Sequence, residues 1–176
     1  MLETLISSKT RVKLLLKFFL NSSNKAHLRG LESEFGESSN AIRLELNKLE
    51  EAGLLQSSHQ GNKKLFNANT AHPLYKDINS ILFKYTGLDR IAEQVLSNLG
   101  ELVRVYLVGD LGRGIDSPII DLIIVGNINT AYLIKLIEKA EAIIDKKIRY
   151  LTYTAEQFDE QKDRILPESY LLIWNQ

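Results

Sequence analysis

The spacing of the apolar residues changes partway along this chain, and that change limits the folds that the chain can adopt. Before residue 100, apolar side chains recur at the spacing of an amphipathic helix, as at Val12, Leu15, Leu16 and Phe19. After it, they gather in short runs rich in β-branched residues and bounded by glycine, which predicts strands. A chain of 176 residues with this division is expected to form one or two compact domains that combine helices with a sheet.

Composition excludes several classes of protein. No run approaches about 18 uncharged apolar residues, so a membrane protein is not expected, and the four basic residues among the first twenty argue against a secretory start. The chain has no cysteine, which excludes disulfides and thiolate metal sites and agrees with a reducing cytoplasm. The histidines, His27, His59 and His72, lack the spacing of metal ligands. We therefore expect a cytoplasmic protein without a metal or other cofactor.

The formal net charge of zero hides an uneven distribution of charge. Residues 1–87 contain twelve Lys and Arg against eight Asp and Glu, a charge of +4, so residues 88–176 carry −4. A basic half can meet an anionic partner such as nucleic acid. Between Lys25 and Lys64, however, six basic residues stand against six acidic ones, so the positive excess lies mainly on the first helix.

The first half of the chain predicts three helices and a hairpin. The helices are expected over residues 9–20 and about 26–35 and, after a short polar turn at 37–39, from there to residue 52. Ser38 or Ser39 serves as the N-cap of the third helix, and Gly53 ends it. The hairpin is expected to have strands at 54–58 and 63–67 and a turn at 59–62, and a helix at about 79–85 follows it.

The third helix has two different faces. Its apolar residues at helical spacing are Ile42, Leu46 and Leu49. Its opposite face carries Asn40, Arg43 and Asn47. Because arginine bonds guanine bidentately and asparagine bonds adenine, Arg43 and Asn47 are suited to reading base edges in a major groove. A polar outer face is also what any surface helix presents, so this pattern alone leaves a purely structural role open.

The end of the third helix and the segments that follow it resemble a known family. The stretches "LNKLEEAGLL" at 46–55, "HQGNKKLFNAN" at 59–69 and "HPLYKDI" at 72–78 resemble the winged-helix repressors of the metal-sensor-repressor type. The resemblance implies that the third helix enters the major groove of double-stranded DNA, that the hairpin is a wing on the phosphate backbone, and that the protein is a homodimer. The DNA-binding residues expected from it are Ser39, Asn40, Arg43, Asn47, Lys48, Lys63 and Lys64.

The second half of the chain predicts a small mixed sheet covered by helices. Strands are expected at 103–108, 121–125 and 148–153, with a closing strand or packed segment at 169–174. Helices are expected at 88–99, ended by Gly100, and at 130–144 and 155–165. Thr86-Gly87 marks the boundary, which gives domains at 1–87 and 88–176. The expected fold class is α+β, with an N-terminal winged helix-turn-helix and a C-terminal α/β domain.

The loop between the first two of these strands resembles the phosphate loop of minimal nucleotidyltransferases. Gly109, Arg113, Gly114 and Asp121 match that family, whereas Asp110 replaces its serine and Ile119 replaces the first aspartate of its metal-binding pair. The strand at 148–153 has Arg149 and no carboxylate, so the third acid is missing as well. The resemblance implies a vestigial nucleotide site without catalysis at Gly109, Asp110, Arg113, Gly114 and Asp121. Asp121 is then expected to bond local amides or Arg113.

These observations favour a transcriptional regulator that is not an enzyme. Its partners are expected to be double-stranded DNA and a second copy of the chain, and its C-terminal domain is expected to serve dimerisation or the sensing of a small molecule or nucleotide. Two alternatives remain open. One is an active, Mg²⁺-dependent nucleotidyltransferase guided by its winged helix. The other is a protein-interaction module of the toxin–antitoxin type.

Overall fold

The computed structural model describes residues 2–96, 99 and 101–176. The chain divides into two compact units, Met1–Tyr85 and Thr86–Gln176, which we call the N-terminal and C-terminal units. The sequence predicted a boundary after residue 87, which is two residues beyond the boundary between these units. The fold class is α+β, because helices and small sheets both contribute to the structure. No helix in the described part of the chain is long and apolar enough to cross a membrane.

The N-terminal unit begins with helices. Its α-helices are α1 (Leu2–Leu5), α2 (Lys9–Leu15), α3 (Leu28–Phe35), α4 (Ser39–Glu51) and α5 (Tyr75–Thr86), and a π-helical segment at Leu16–Leu20 continues α2. The predicted first helix therefore changes its hydrogen-bond pattern after Leu15. Helix α4 has Ser38 as its N-cap, with Oγ accepting from the Ala41 N–H, and it ends before Gly53, whose φ is +72°.

Two predicted helix starts are wrong. The second helix begins at Leu28 rather than near Ala26, because the backbone N–H and C=O of Ala26 pair instead with Phe66 in an isolated β-bridge. The last helix of this unit begins at Tyr75, four residues before the predicted start. Pro73, which has no backbone N–H to donate, lies two residues before this start.

The hairpin of the N-terminal unit is longer than predicted. Strands β1 (Leu55–Gln60) and β2 (Lys63–Ala68) are antiparallel, and their last pair is Gln60 with Lys63. The turn therefore has two residues, Gly61 and Asn62, and the predicted turn at 59–62 is too long. Gly61 has a φ of +58°, the left-handed conformation that a tight two-residue hairpin needs. The three predicted helices and the hairpin follow one another in the predicted order, and the short helix α1 before them was not predicted.

The C-terminal unit contains a mixed sheet, as predicted, and this sheet has four strands. Its strands are β3 (Leu102–Val108), β4 (Ile119–Gly126), β5 (Lys147–Tyr153) and β6 (Leu171–Asn175). The spatial order is β5-β4-β3-β6, with β4 and β5 parallel and the other pairs antiparallel. The apolar end of the chain thus forms the closing strand, β6, beside β3.

The helices of this unit are α6 (Leu88–Gln94), α7 (Gly109–Gly112), α8 (Thr130–Ile144) and α9 (Ala155–Ile165). Helices α8 and α9 have the predicted bounds. Helix α6 ends at Gln94, earlier than predicted, and the Gly100 expected to stop it lies outside the described residues. Short helix α7 occupies the start of the segment that was predicted to be a loop.

Both faces of the sheet are covered. Consecutive residues of β4, from Leu122 to Val125, are all buried although they point alternately to the two faces. On one face, Phe158 of α9 is fully buried against Tyr106, and the two rings stack with centroids 5.2 Å apart. Asp121 lies near the start of β4, and Arg149 lies opposite it near the start of the neighbouring strand β5.

Candidate functional site

Helix α4 turns its predicted reading face outward. Ile42, Leu46 and Leu49 are buried, and Asn40, Arg43 and Asn47 are exposed. Arg43 Nη2 donates a hydrogen bond to Asn40 Oδ1 at 2.8 Å, which holds the guanidinium along the outer face of the helix. Donors and acceptors of the types that read bases are therefore presented together on one exposed surface.

Glu50 at the end of α4 fixes the hairpin to the helix. Lys64 Nζ donates to Glu50 Oε2 at 2.7 Å, and Ser57 Oγ donates to the other carboxylate oxygen. These bonds from Lys64 and Ser57 outweigh the effect of burial and lower the pKa of Glu50 below its ordinary value. Lys64 also lies over the Phe66 ring, 4.9 Å from its centroid. Much of the charge of Lys64 is thus offset inside the protein, whereas Lys63 is exposed and has no ion-pair partner among the described residues.

A groove of about 540 Å³ lies between α4, the hairpin and the start of α3. Four of the seven predicted DNA-binding residues line it, and these are Arg43, Asn47, Lys63 and Lys64. The other three, Ser39, Asn40 and Lys48, do not. Asn40 bonds Arg43, and Lys48 Nζ lies 3.6 Å from Glu45 Oε1.

The groove also contains two residues that sequence reasoning missed, His27 and Arg29. The β-bridge between Ala26 and Phe66 brings the start of α3 against the hairpin, so residues distant in sequence share one surface. Arg29 is exposed and has no ion-pair partner in the described part of the chain. The position of Arg29 near a predicted helix start could be read from the sequence. Its proximity to the hairpin could not, because that depends on a contact between distant segments.

The basic residues of the first helix do not contribute to this surface. Arg11 Nε bonds Glu45 Oε2 at 2.8 Å, and Lys13 Nζ bonds Glu37 Oε1 at 2.6 Å. The Nζ of Lys17, in the π-helical segment, bonds a carboxylate oxygen of α3 at 2.8 Å, and its side chain is buried. Three of the four basic residues of this helix are therefore used in ion pairs that join the helices of the unit, whereas Lys9 is exposed.

These ion pairs keep their carboxylates charged. Burial favours the neutral form of Glu45, but the bond from Arg11 and the nearby positive charges outweigh it and lower the pKa of Glu45. Burial likewise opposes the charge of Glu37, whereas hydrogen bonds from Lys13 and Thr10 lower its pKa. The acidic and basic side chains of the N-terminal unit thus stabilise each other, and only part of its positive charge faces solvent.

In the C-terminal unit, Asp121 forms an ion pair with Arg149. Arg149 Nε bonds Asp121 Oδ1 at 2.6 Å and Nη2 bonds Oδ2 at 3.0 Å. The hydrogen bond with Asp121 and the charge of this carboxylate raise the pKa of Arg149, and Asp110 adds to the effect. Gly109, with a φ of +67°, lies against the Asp121 carboxylate, and a Cβ at this position would collide with it.

The predicted partner of Asp121 is wrong. Arg113, the residue that follows α7, forms its ion pair with Asp110 near the start of this short helix. Asp121 instead bonds Arg149, because these residues are direct neighbours in the parallel pairing of β4 with β5. Gly114 has a φ of +77°, so it closes the turn after α7. No group of three or more potential metal-ligating side chains is found among the residues that the structure describes.

No family model and no curated protein matches the chain. One solved structure, described as a "putative nucleotidyltransferase" from Sulfolobus solfataricus, is 23% identical with a TM-score of 0.38, over 56% of this chain and 86% of the other. Another, described as a "Possible transcriptional regulator for arsenical resistance", is 22% identical with a TM-score of 0.31, over 53% of this chain and 88% of the other. Similarities of this size do not establish a shared fold, so a functional assignment depends on the residues themselves.

Proposed function

We propose that this chain is a DNA-binding transcriptional regulator whose N-terminal unit is a winged helix. The observation that carries the proposal is the shared surface of α4 and the hairpin, on which Arg43 and Asn47 lie beside Lys63. Arg43 and Asn47 would read base edges, with Ser39 and Asn40 at the start of the helix contacting bases or phosphates. Lys63 and Lys64 would hold the phosphate backbone, and Lys48 would add a further charge on the exposed side of α4.

A selection experiment tests this proposal directly. The full chain is used to enrich duplexes from a random library, and the recovered sequence is then compared with a scrambled duplex by fluorescence anisotropy. We expect enrichment of a defined site and tighter binding to it than to the scrambled duplex. Absence of duplex binding even at low salt would overturn the proposal and favour the protein-interaction module.

For the C-terminal unit, we infer a nucleotidyltransferase-like domain without catalytic activity. The support is chemical. A two-metal phosphoryl transfer needs carboxylates that are free to bind Mg²⁺. Here Asp121 is bound by Arg149, and Ile119 stands two residues earlier on the same face of β4. Such a domain would serve dimerisation or the sensing of a small molecule or nucleotide.

Calorimetry with Mg²⁺-ATP, followed by an assay for transfer of labelled nucleotide to protein or nucleic acid, tests this inference. We expect no transferred label from the full chain. Label transfer that is lost in Asp121→Asn would instead establish an active nucleotidyltransferase.

A further inference from the structure

The groove between α3, α4 and the hairpin has a lining that a DNA backbone alone does not use. Its apolar part is formed by Leu28, Leu46 and Phe66, and the last two are almost completely buried at 1% and 5% exposure. Its volume of about 540 Å³ lies within the range of about 300–1,000 Å³ that is usual for small-molecule sites. A phosphodiester strand would contact the charged rim, whereas Leu28, which is only partly buried, offers apolar surface that the strand would not use.

The rim of the groove is strongly positive. Arg29, Arg43 and Lys63 line it together with Lys64, and none of its described lining residues is acidic. Arg29 and Lys63 have no ion-pair partner in the described part of the chain, and Arg43 bonds only the neutral side chain of Asn40. Since Glu50 offsets Lys64, three arginine and lysine side chains remain to compensate an anion bound here.

The start of α3 adds hydrogen-bond donors to the same place. Its N-cap residue, His27, makes no side-chain hydrogen bond to the helix. The His27 ring lies instead over Gly30, where a Cβ would come within 2.9 Å of the ring. The first N–H groups of α3 are therefore not capped by the His27 side chain, and they belong to the same turn of the helix as Arg29.

We propose that this groove binds a small organic phosphate with a flat apolar body, such as a nucleoside monophosphate. The phosphate would lie between Arg29, Lys63 and the start of α3, and the apolar body would pack on Leu28 and the accessible edge of Phe66. This site is separate from the loop at 109–121. Because Arg43 and Lys63 are also the residues proposed to contact DNA, a bound ligand would exclude DNA from the same surface.

Ligand binding can be measured without DNA, so its result does not depend on the proposed function. The full chain is titrated calorimetrically with AMP, with adenosine and with inorganic phosphate as separate probes. We expect AMP to bind at least about tenfold more tightly than either fragment, because only AMP uses both the cations and the apolar base. Equal affinity for AMP and inorganic phosphate would overturn the proposal, since it would show a simple anion site.

Variants then locate the site. Arg29→Ala and Lys63→Ala are each expected to weaken AMP binding about tenfold or more, and Arg90→Ala, which removes an exposed arginine of the C-terminal unit, is expected to leave it unchanged. Circular dichroism confirms that each variant is folded. AMP affinity that is lost in Arg149→Ala but kept in Arg29→Ala would place the ligand in the C-terminal unit and overturn the proposal.

Discussion

Arg149 and Asp121 are direct neighbours on parallel strands and form an ion pair with two hydrogen bonds of 2.6 and 3.0 Å. In a nucleotidyltransferase-like site, the carboxylate at this position would hold a metal ion. Here a guanidinium supplies the positive charge from within the chain. Under the function proposed for this unit, the pair would leave Asp121 unavailable to a metal ion.

Restoring a carboxylate pair is expected to create a metal site only if Arg149 is also removed. Ile119→Asp places a second acid on the same face of β4 as Asp121, but Arg149 would still neutralise Asp121. We expect Mg²⁺ binding in calorimetry for the Ile119→Asp, Arg149→Ala double variant and none for either single variant. Mg²⁺ binding by the unaltered chain would contradict the conclusion that the ion pair with Arg149 keeps Asp121 from binding a metal ion.

Arg43 and Lys63 are expected to affect DNA binding differently. Arg43→Ala should weaken the free energy of binding to the selected site by about 1–3 kcal/mol and should change binding to random DNA little. Lys63→Ala should weaken binding to the two kinds of DNA alike. Anisotropy titrations of both variants on both duplexes measure this difference. An equal loss on both duplexes from Arg43→Ala would rule out its base-reading role.

The dependence of DNA binding on salt should reflect which cations face solvent. Each lysine or arginine that neutralises a phosphate adds about 0.9 to the slope of log affinity against log salt concentration. We expect Lys63→Ala to reduce this slope by about one and Lys13→Gln to leave it unchanged, because Lys13 is paired with Glu37. A clear drop in slope for Lys13→Gln would show that the first helix contacts DNA after all.

The N-terminal unit should lose stability in acid. The pKa values of Glu37 and Glu45 are lowered in the folded chain, so their ion pairs stabilise it fully above about pH 4.5, the ordinary carboxyl value, and this stabilisation is lost as the pH falls through the lowered values. Glu37→Gln should lower the free energy of unfolding by about 1 kcal/mol at pH 7. The stability of this variant should also depend less on pH. Thermal melts between neutral pH and pH 3 measure both effects, and an unchanged acid dependence would contradict this explanation.

A homodimer is the state in which the proposed winged helix, with its small positive excess, would bind DNA best. Two copies double the number of cations and read two half-sites about one helical turn apart. We expect a dimer in sedimentation and clearly tighter binding to a duplex with two half-sites than to one with a single half-site. A monomer with equal affinity for both duplexes would exclude the dimeric arrangement.

Local patterns in the sequence determined most of the secondary structure. Helices α8 and α9 have the predicted bounds, and the apolar stripe of α4 is buried as its spacing required. The errors lie where a distant contact competes with local propensity. Ala26 leaves the predicted helix because its backbone pairs with Phe66, forty residues away in the chain. The mixed sheet was predicted, whereas the register that places Asp121 beside Arg149 was not.

The sequence by itself determined which residues carry charge, which faces of the helices are apolar and where the chain changes from helices to strands. Only the tertiary structure decided which charges are neutralised. Arg11 and Glu45 are 34 residues apart, and Asp121 and Arg149 are 28 apart. The reason is physical: the spacing of apolar residues is a local property, whereas an ion pair depends on which elements pack together. The same packing brings Arg29 to the groove and leaves Lys63 free to meet an anion.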